Sequence, residues 1–127
     1  MGRLAAIICH DTNYTDVSRK VARNGAQLIG AGFKEFGGFG EQLWTHATFR
    51  AVETHTSLVV TGVATVSAII DPYGRQIALD VDPQGSPKVL VADVPLGSGN
   101  APYNYLGDVL GWLSLAGSRI ANAQGLT

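Results

Sequence analysis

The sequence predicts an α/β fold with a mixed sheet, on three observations. An apolar run, Leu4 to Cys9, is followed by a helical pattern and a second apolar run, Gln27 to Phe33. A strand, helix, strand unit of this kind implies parallel pairing. Later runs, Ser57 to Val63, Val66 to Ile70 and Arg75 to Val81, are joined by tight turns and read as antiparallel.

The first run has six consecutive apolar residues and stops on the chain's only cysteine. Such a run fits a strand covered on both faces. His10 to Asn13 is turn-like, and Thr15 or Asp16 is placed to cap a helix with Val17, Val21 and Ala22 inward. A thiol between a strand end and a helix start lies near helix amides, which favour the nucleophilic thiolate. Spacing alone favours the other reading, a free core cysteine that behaves as a small hydrophobe.

Asn24-Gly25 ends the first helix. Gly37-Gly38-Phe39-Gly40 reads as a loop able to cover the thiol, and its spacing matches neither glycine-rich phosphate motif. Glu41 to His55 has helical spacing, with Leu43, Ala47 and Ala51 on one stripe, Trp44 and Val52 beside it, and Arg50 and Glu53 nearby. That charged pair is either a solvated face or a structural link. Asp71-Pro72-Tyr73-Gly74 is a turn. Lys88 to Val94 reads as a last strand, Gly97 to Asn104 as a loop, and Leu106 onward as a terminal helix with Val109, Leu110, Leu113 and Ile120 on one face.

With 127 residues and 46% hydrophobic content, the chain suits one ordered domain. Net charge is −1 with dispersed Lys and Arg, so no nucleic-acid partner is expected. A single cysteine excludes an internal disulfide. No run approaches the about eighteen apolar residues of a membrane span, so the chain alone is expected to be soluble. A strand beginning so close to Met1 suggests a fragment. Cys9, His10, His46 and His55 lack metal-ligand spacing, and no cofactor is expected. A Cys-His catalytic pair would require His46 or His55 to reach Cys9.

The ordered set Cys9-His10-Asp11, Asn24-Gly25-Ala26, Arg50-Ala51-Val52-Glu53 and Ser67-Ala68-Ile69-Ile70-Asp71-Pro72-Tyr73-Gly74-Arg75 resembles the C-terminal half of the nitrilase (carbon-nitrogen hydrolase) superfamily. Val94-Pro95-Leu96, Tyr103 and Leu106-Gly107-Asp108 are similar to the exit from that domain in apolipoprotein N-acyltransferases, where the chain re-enters the membrane. The resemblance implies the C-terminal half of an αββα sandwich with helices on one face of its sheet. It places the catalytic domain in residues 1–105, and a terminal helix and tail in 106–127.

It further implies that Cys9 is a nucleophile forming an acyl-thioester, with His10 and Asp11 as active-site support and Arg50 and Glu53 as structural support. The implied partners are a phospholipid acyl donor and a lipoprotein amine acceptor. The implied location is a cell membrane, with this domain on the extracytoplasmic side. The family's glutamate base and oxyanion lysine lie upstream of the cysteine, so Lys34, Glu35 and Glu41 do not inherit those roles and the isolated chain is expected to be inactive. The alternative readings are a hydrolase of a small amide and a non-catalytic half-domain acting as a folding or interaction module. The sequence departs from the acyltransferase pattern at Leu43, at Gly32-Phe33-Lys34-Glu35 and at Thr65. Half of a sandwich leaves one sheet face apolar, and the expected cover is a second copy stacked about 10 Å away, with the terminal helix as the competing cover.

Overall fold

The computed structural model describes residues 2–34, 38–123 and 125. A five-stranded sheet of order β1-β2-β3-β4-β5 carries β1 (Leu4–Ile8), β2 (Leu28–Phe33), β3 (Ser57–Gly62), β4 (Val66–Ile70) and β5 (Gln76–Val81). The first three strands are parallel and the last two antiparallel, as expected. Helices α1 (Thr15–Arg23) and α2 (Gly38–Thr54) supply the crossovers.

Strand alternation divides the side chains between two faces. Ile7, Ile29, Ala31, Phe33, Leu58, Val60, Ala68 and Ile70 point one way and form a single core with Leu43, Ala47 and Ala51 of α2. Val17 and Val21 of α1 pack against the same core. Ala47 and Ala51 are both fully buried, and their small side chains let α2 lie close to the sheet. Both helices therefore cover one face.

The opposite face carries Leu4, Ala6 and Ile8 of β1, in register with Leu28, Gly30 and Gly32 of β2. Leu4 and Ile8 are 72% and 73% exposed. This corrects the reading of the first run as a strand buried on both sides: β1 is an edge strand with only Ile7 fully buried. Its continuous apolarity marks a face that the other described residues leave open at this edge of the sheet.

Several local expectations are also corrected. The predicted strand over Lys88 to Val94 is absent. Instead Lys88, Val89 and Leu90 lie across the open face over β3 and β4, where they wall a cavity of about 440 Å³ with Val59, Ser67 and Ile69. Lys88 is tethered there by Asp80 at 3.0 Å, so the segment crosses strands rather than pairing with an edge. Neither Thr15 nor Asp16 caps α1; Tyr14 occupies that position without a side-chain bond, and Asp16 pairs with Lys20 at 2.9 Å. The lysine beside Asp16 holds its carboxyl below the usual range.

The glycine-rich stretch does not form a covering loop in its described part. Gly38–Thr54 is α2, so Gly38 and Gly40 belong to its first turn, while Gly37 lies outside the described residues. Part of the predicted 97–104 loop is a short helix, α3 (Pro102–Leu106), and Leu106 belongs to it rather than to the terminal helix. Asn104 is fully buried there and donates to the carbonyls of Thr54, 3.0 Å, and Gly99, 2.7 Å, tying α3 to the end of α2. The terminal helix, α4 (Val109–Ala123), has no buried residue. It does not cover the open sheet face.

Candidate active site

Parallel strands bring their C-terminal ends to one edge of the sheet, and Cys9 stands at that edge directly after β1. Cys9–Asn13 forms a single 3-10 turn, in which Cys9 has φ 48. This left-handed backbone is costly for any residue with a Cβ and persists only where neighbours enforce it. Two neighbours do. The Asp11 carboxylate accepts from the amide of Ile8 at 2.9 Å, and the Thr12 hydroxyl donates to the carbonyl of Cys9 at 3.0 Å. The turn therefore closes on both sides of the thiol residue.

Asp11 thus acts on the backbone that presents the cysteine. Thr12, fully buried, does the same and was not singled out from sequence, although a hydroxyl three residues after a turn residue is a recognisable local bonding pattern. His10 is exposed and is contacted by Asn13, whose Nδ2 lies 3.0 Å from its Nδ1. Asn13 also reaches His46 of α2, Oδ1 to Nδ1 at 2.6 Å. The structure therefore brings Cys9, His10, Asp11 and His46 into one neighbourhood.

A groove of about 400 Å³ opens at the thiol, walled by Ile8, Gly32, Phe33, Thr61, Gly62 and Val63, with Lys34 at its rim. Its lining is predominantly apolar. Gly32 contributes clearance, since a Cβ there would meet nothing closer than the Thr61 hydroxyl at 3.8 Å. The cavity under Lys88 to Leu90 is a little larger and is lined by Ser67, Asp80 and Lys88, with neither cysteine nor histidine.

Arg50 and Glu53 are not at this edge. They lie on α2 about one and two turns beyond His46, toward the opposite end of the sheet. Arg50 is 8% exposed, and its Nε lies 3.1 Å from a Glu53 carboxylate oxygen while Nη2 donates to the other at 3.3 Å. The reading as a solvated face gives way to that of a half-sheltered structural pair. Burial pushes the Glu53 carboxyl up, and the Arg50 guanidinium offsets this only in part. His55 is also remote, resting edge-on against Tyr73 at 5.3 Å. Glu41 lies in the first turn of α2, exposed, and Glu35 falls outside the described residues.

Asp71 anchors the turn between β4 and β5. Its buried carboxylate accepts from the amides of Tyr73 and Arg75, both 2.9 Å, and from Nε of Arg75 at 2.6 Å. Burial alone would raise this carboxyl, but the Arg75 and Tyr73 amides and the Arg75 guanidinium hold it below the usual range. Gly74, at φ 80, lets the turn dock on α2, where a Cβ would come within 2.7 Å of Val52.

The sequence model of the family described as carbon-nitrogen hydrolase matches residues 1–101. The chain belongs to the carbon-nitrogen hydrolase family. Within it, the chain is 30% identical to an apolipoprotein N-acyltransferase from Geobacter metallireducens, over 96% of this chain and 24% of that protein. It spans about a quarter of the length of that relative. The five-stranded sheet with its helices matches solved carbon-nitrogen hydrolase folds. A mutant of the Nesterenkonia AN1 amidase of the nitrilase superfamily superposes with a TM-score of 0.59 at 21% identity, over 64% of this chain and 35% of that one. Saccharomyces cerevisiae Nit3 gives 0.58 at 20% identity, over 62% and 33%. The Caenorhabditis elegans NitFhit protein gives 0.59 at 25%, over 64% and 22%.

Proposed function

We propose that this chain carries the nucleophile of an acyl-transferring enzyme of the apolipoprotein N-acyltransferase kind, with Cys9 as the acyl carrier. The observation that supports this most is the strained Cys9 turn, closed by Asp11 and Thr12, opening onto an apolar groove. Strain of this kind is retained where it presents a reacting group. In the proposed reaction the thiolate attacks the ester carbonyl of a phospholipid, the alcohol leaves with a proton, and the acyl group remains as a thioester. An amine of a lipoprotein then attacks that carbonyl, forming an amide and returning the thiol. This divides one difficult displacement into two easier ones.

A glutamate and a lysine N-terminal to this sequence would supply the base and the oxyanion donor. The reading puts the whole protein at a cell membrane with this domain on the extracytoplasmic side. The membrane part is supported by α4, where Leu110, Trp112, Leu113 and Ile120 are all more than half exposed. Among the described residues, no helix is long and apolar enough to cross a membrane.

A second reading, cleavage of a small amide, has its own support. In a Nesterenkonia AN1 amidase mutant with a TM-score of 0.59 to this chain, the acetamide moiety of fluoroacetamide is covalently added at the active-site cysteine. The apolar lining of the groove favours an acyl chain over a small polar amide.

Alkylation tests the role of Cys9. In the folded chain near neutral pH, iodoacetamide is expected to label Cys9 faster than in the urea-unfolded chain. Slower or equal labelling of the folded chain counts against an activated thiol.

A further inference from the structure

His46, Asn13 and His10 form an ordered chain of side chains joining α2 to the turn that holds Cys9. Nδ1 of His46 lies 2.6 Å from Oδ1 of Asn13, and Nδ2 of Asn13 lies 3.0 Å from Nδ1 of His10. A carboxamide oxygen only accepts and its nitrogen only donates, which assigns both rings. His46 carries its proton on Nδ1. His10 offers Nδ1 as a lone pair, which leaves the proton of the neutral ring on Nε2. Turning the carboxamide over would exchange the two roles together, so in either orientation the rings hold opposite tautomers. Unconstrained neutral imidazoles in water would both favour Nε2.

We propose that Asn13 and His46 are positioning residues for the Cys9 turn. Cys9 sits at φ 48, from which a residue with a side chain readily relaxes. Asp11 and Thr12 restrain it only from within the same turn. His46 reaches the turn from a helix 33 residues beyond Asn13, and through Asn13 it grips the residue that directly follows the thiol. A core-packed helix thereby fixes the direction of His10 and, through the shared peptide, the presentation of Cys9. This rests on the reading of Cys9 as the reactive thiol.

The test combines nitrogen-15 NMR of the histidine rings in the full 127-residue chain with the rate of iodoacetamide labelling at Cys9. His10 and His46 are expected in opposite neutral tautomers, with Nδ1 protonated in His46. His46→Ala is expected to slow labelling several-fold, with little change in the unfolding midpoint because neither histidine is fully buried. His46→Gln, whose amide nitrogen can donate to Asn13, is expected to restore the rate. Nε2 tautomers at both rings of the unsubstituted chain would overturn the proposal, as would His46→Ala labelling at the original rate. Should His46→Ala fail to fold, the tautomers of the unsubstituted chain decide alone. Unsubstituted folded chain labelling no faster than unfolded chain would retract the role of Cys9, while the tautomers would still decide whether the link exists.

Discussion

Cys9→Gly is expected to abolish the proposed acyl transfer while leaving the chain about as resistant to denaturant as before. The left-handed backbone at Cys9 costs a residue with a Cβ about 1–2 kcal/mol, which glycine does not incur. Glycine adds about 0.5–1 kcal/mol of unfolded-state entropy and gives up the packing of the partly buried thiol against the core, so the effects nearly cancel. Activity behaves differently, because no other side chain of this sequence can carry the thioester. In a longer polypeptide that joins this sequence to a glutamate and a lysine in the proposed roles, turnover is expected to fall by about three to six orders of magnitude. Measuring turnover and the urea midpoint together separates the two. A loss of several kcal/mol with glycine would show that packing of the thiol against the core outweighs the strain of the turn.

Asp71→Ala is expected to cost the fold about 2–4 kcal/mol, the largest single-site stability effect proposed for this chain. The carboxylate is fully buried and satisfies two backbone amides within one turn, so its loss leaves those donors without their acceptor. The Arg75 pair contributes little of this, because the Arg75 side chain is 71% exposed and its charge is screened. The pH dependence carries the same signature. The folded-state carboxyl titrates below its ordinary value of 3.8, so its stabilisation is fully present above that pH and is lost as pH falls through the folded-state value. Glu53 works in the opposite direction: its raised carboxyl makes the fold less favourable as pH rises through its folded-state value. Urea midpoints across acidic pH should show Asp71→Ala reducing the acid-side loss, to which Asp16 and Asp82 also contribute. An unchanged acid profile would show that Asp71 does not anchor the turn.

How much of this was legible in the sequence depended on whether the signal was local. The parallel unit from Leu4 to Phe33, the stripe of Leu43, Ala47 and Ala51 and the turn at Asp71 to Gly74 were readable because periodicity and turn chemistry act over a few residues. The motif order singled out Cys9 and Asp11, and the structure places both in the one turn after β1. What periodicity misjudged was cover: Leu4 to Ile8 is apolar on both faces, yet one face is open here. Lys88 to Val94 has strand-like composition, but composition does not supply a neighbouring edge, and the segment crosses the sheet instead. At the site, Thr12 and the contact of Asn13 with His46 went unread because both depend on how the turn meets α2. The separation of Arg50 and Glu53 from the thiol likewise follows from the direction of α2, which a sequence pattern does not show.

The central claim is that Cys9 carries an acyl group. Its most direct test is mass spectrometry of an acid-quenched reaction between an activated long-chain ester and a longer polypeptide that joins this sequence to a glutamate and a lysine in the proposed roles. The account expects one acyl group on the peptide containing Cys9, released by neutral hydroxylamine and discharged by an added amine. A folded protein that turns the ester over with no adduct at Cys9, or with the acyl group on another residue, would contradict it.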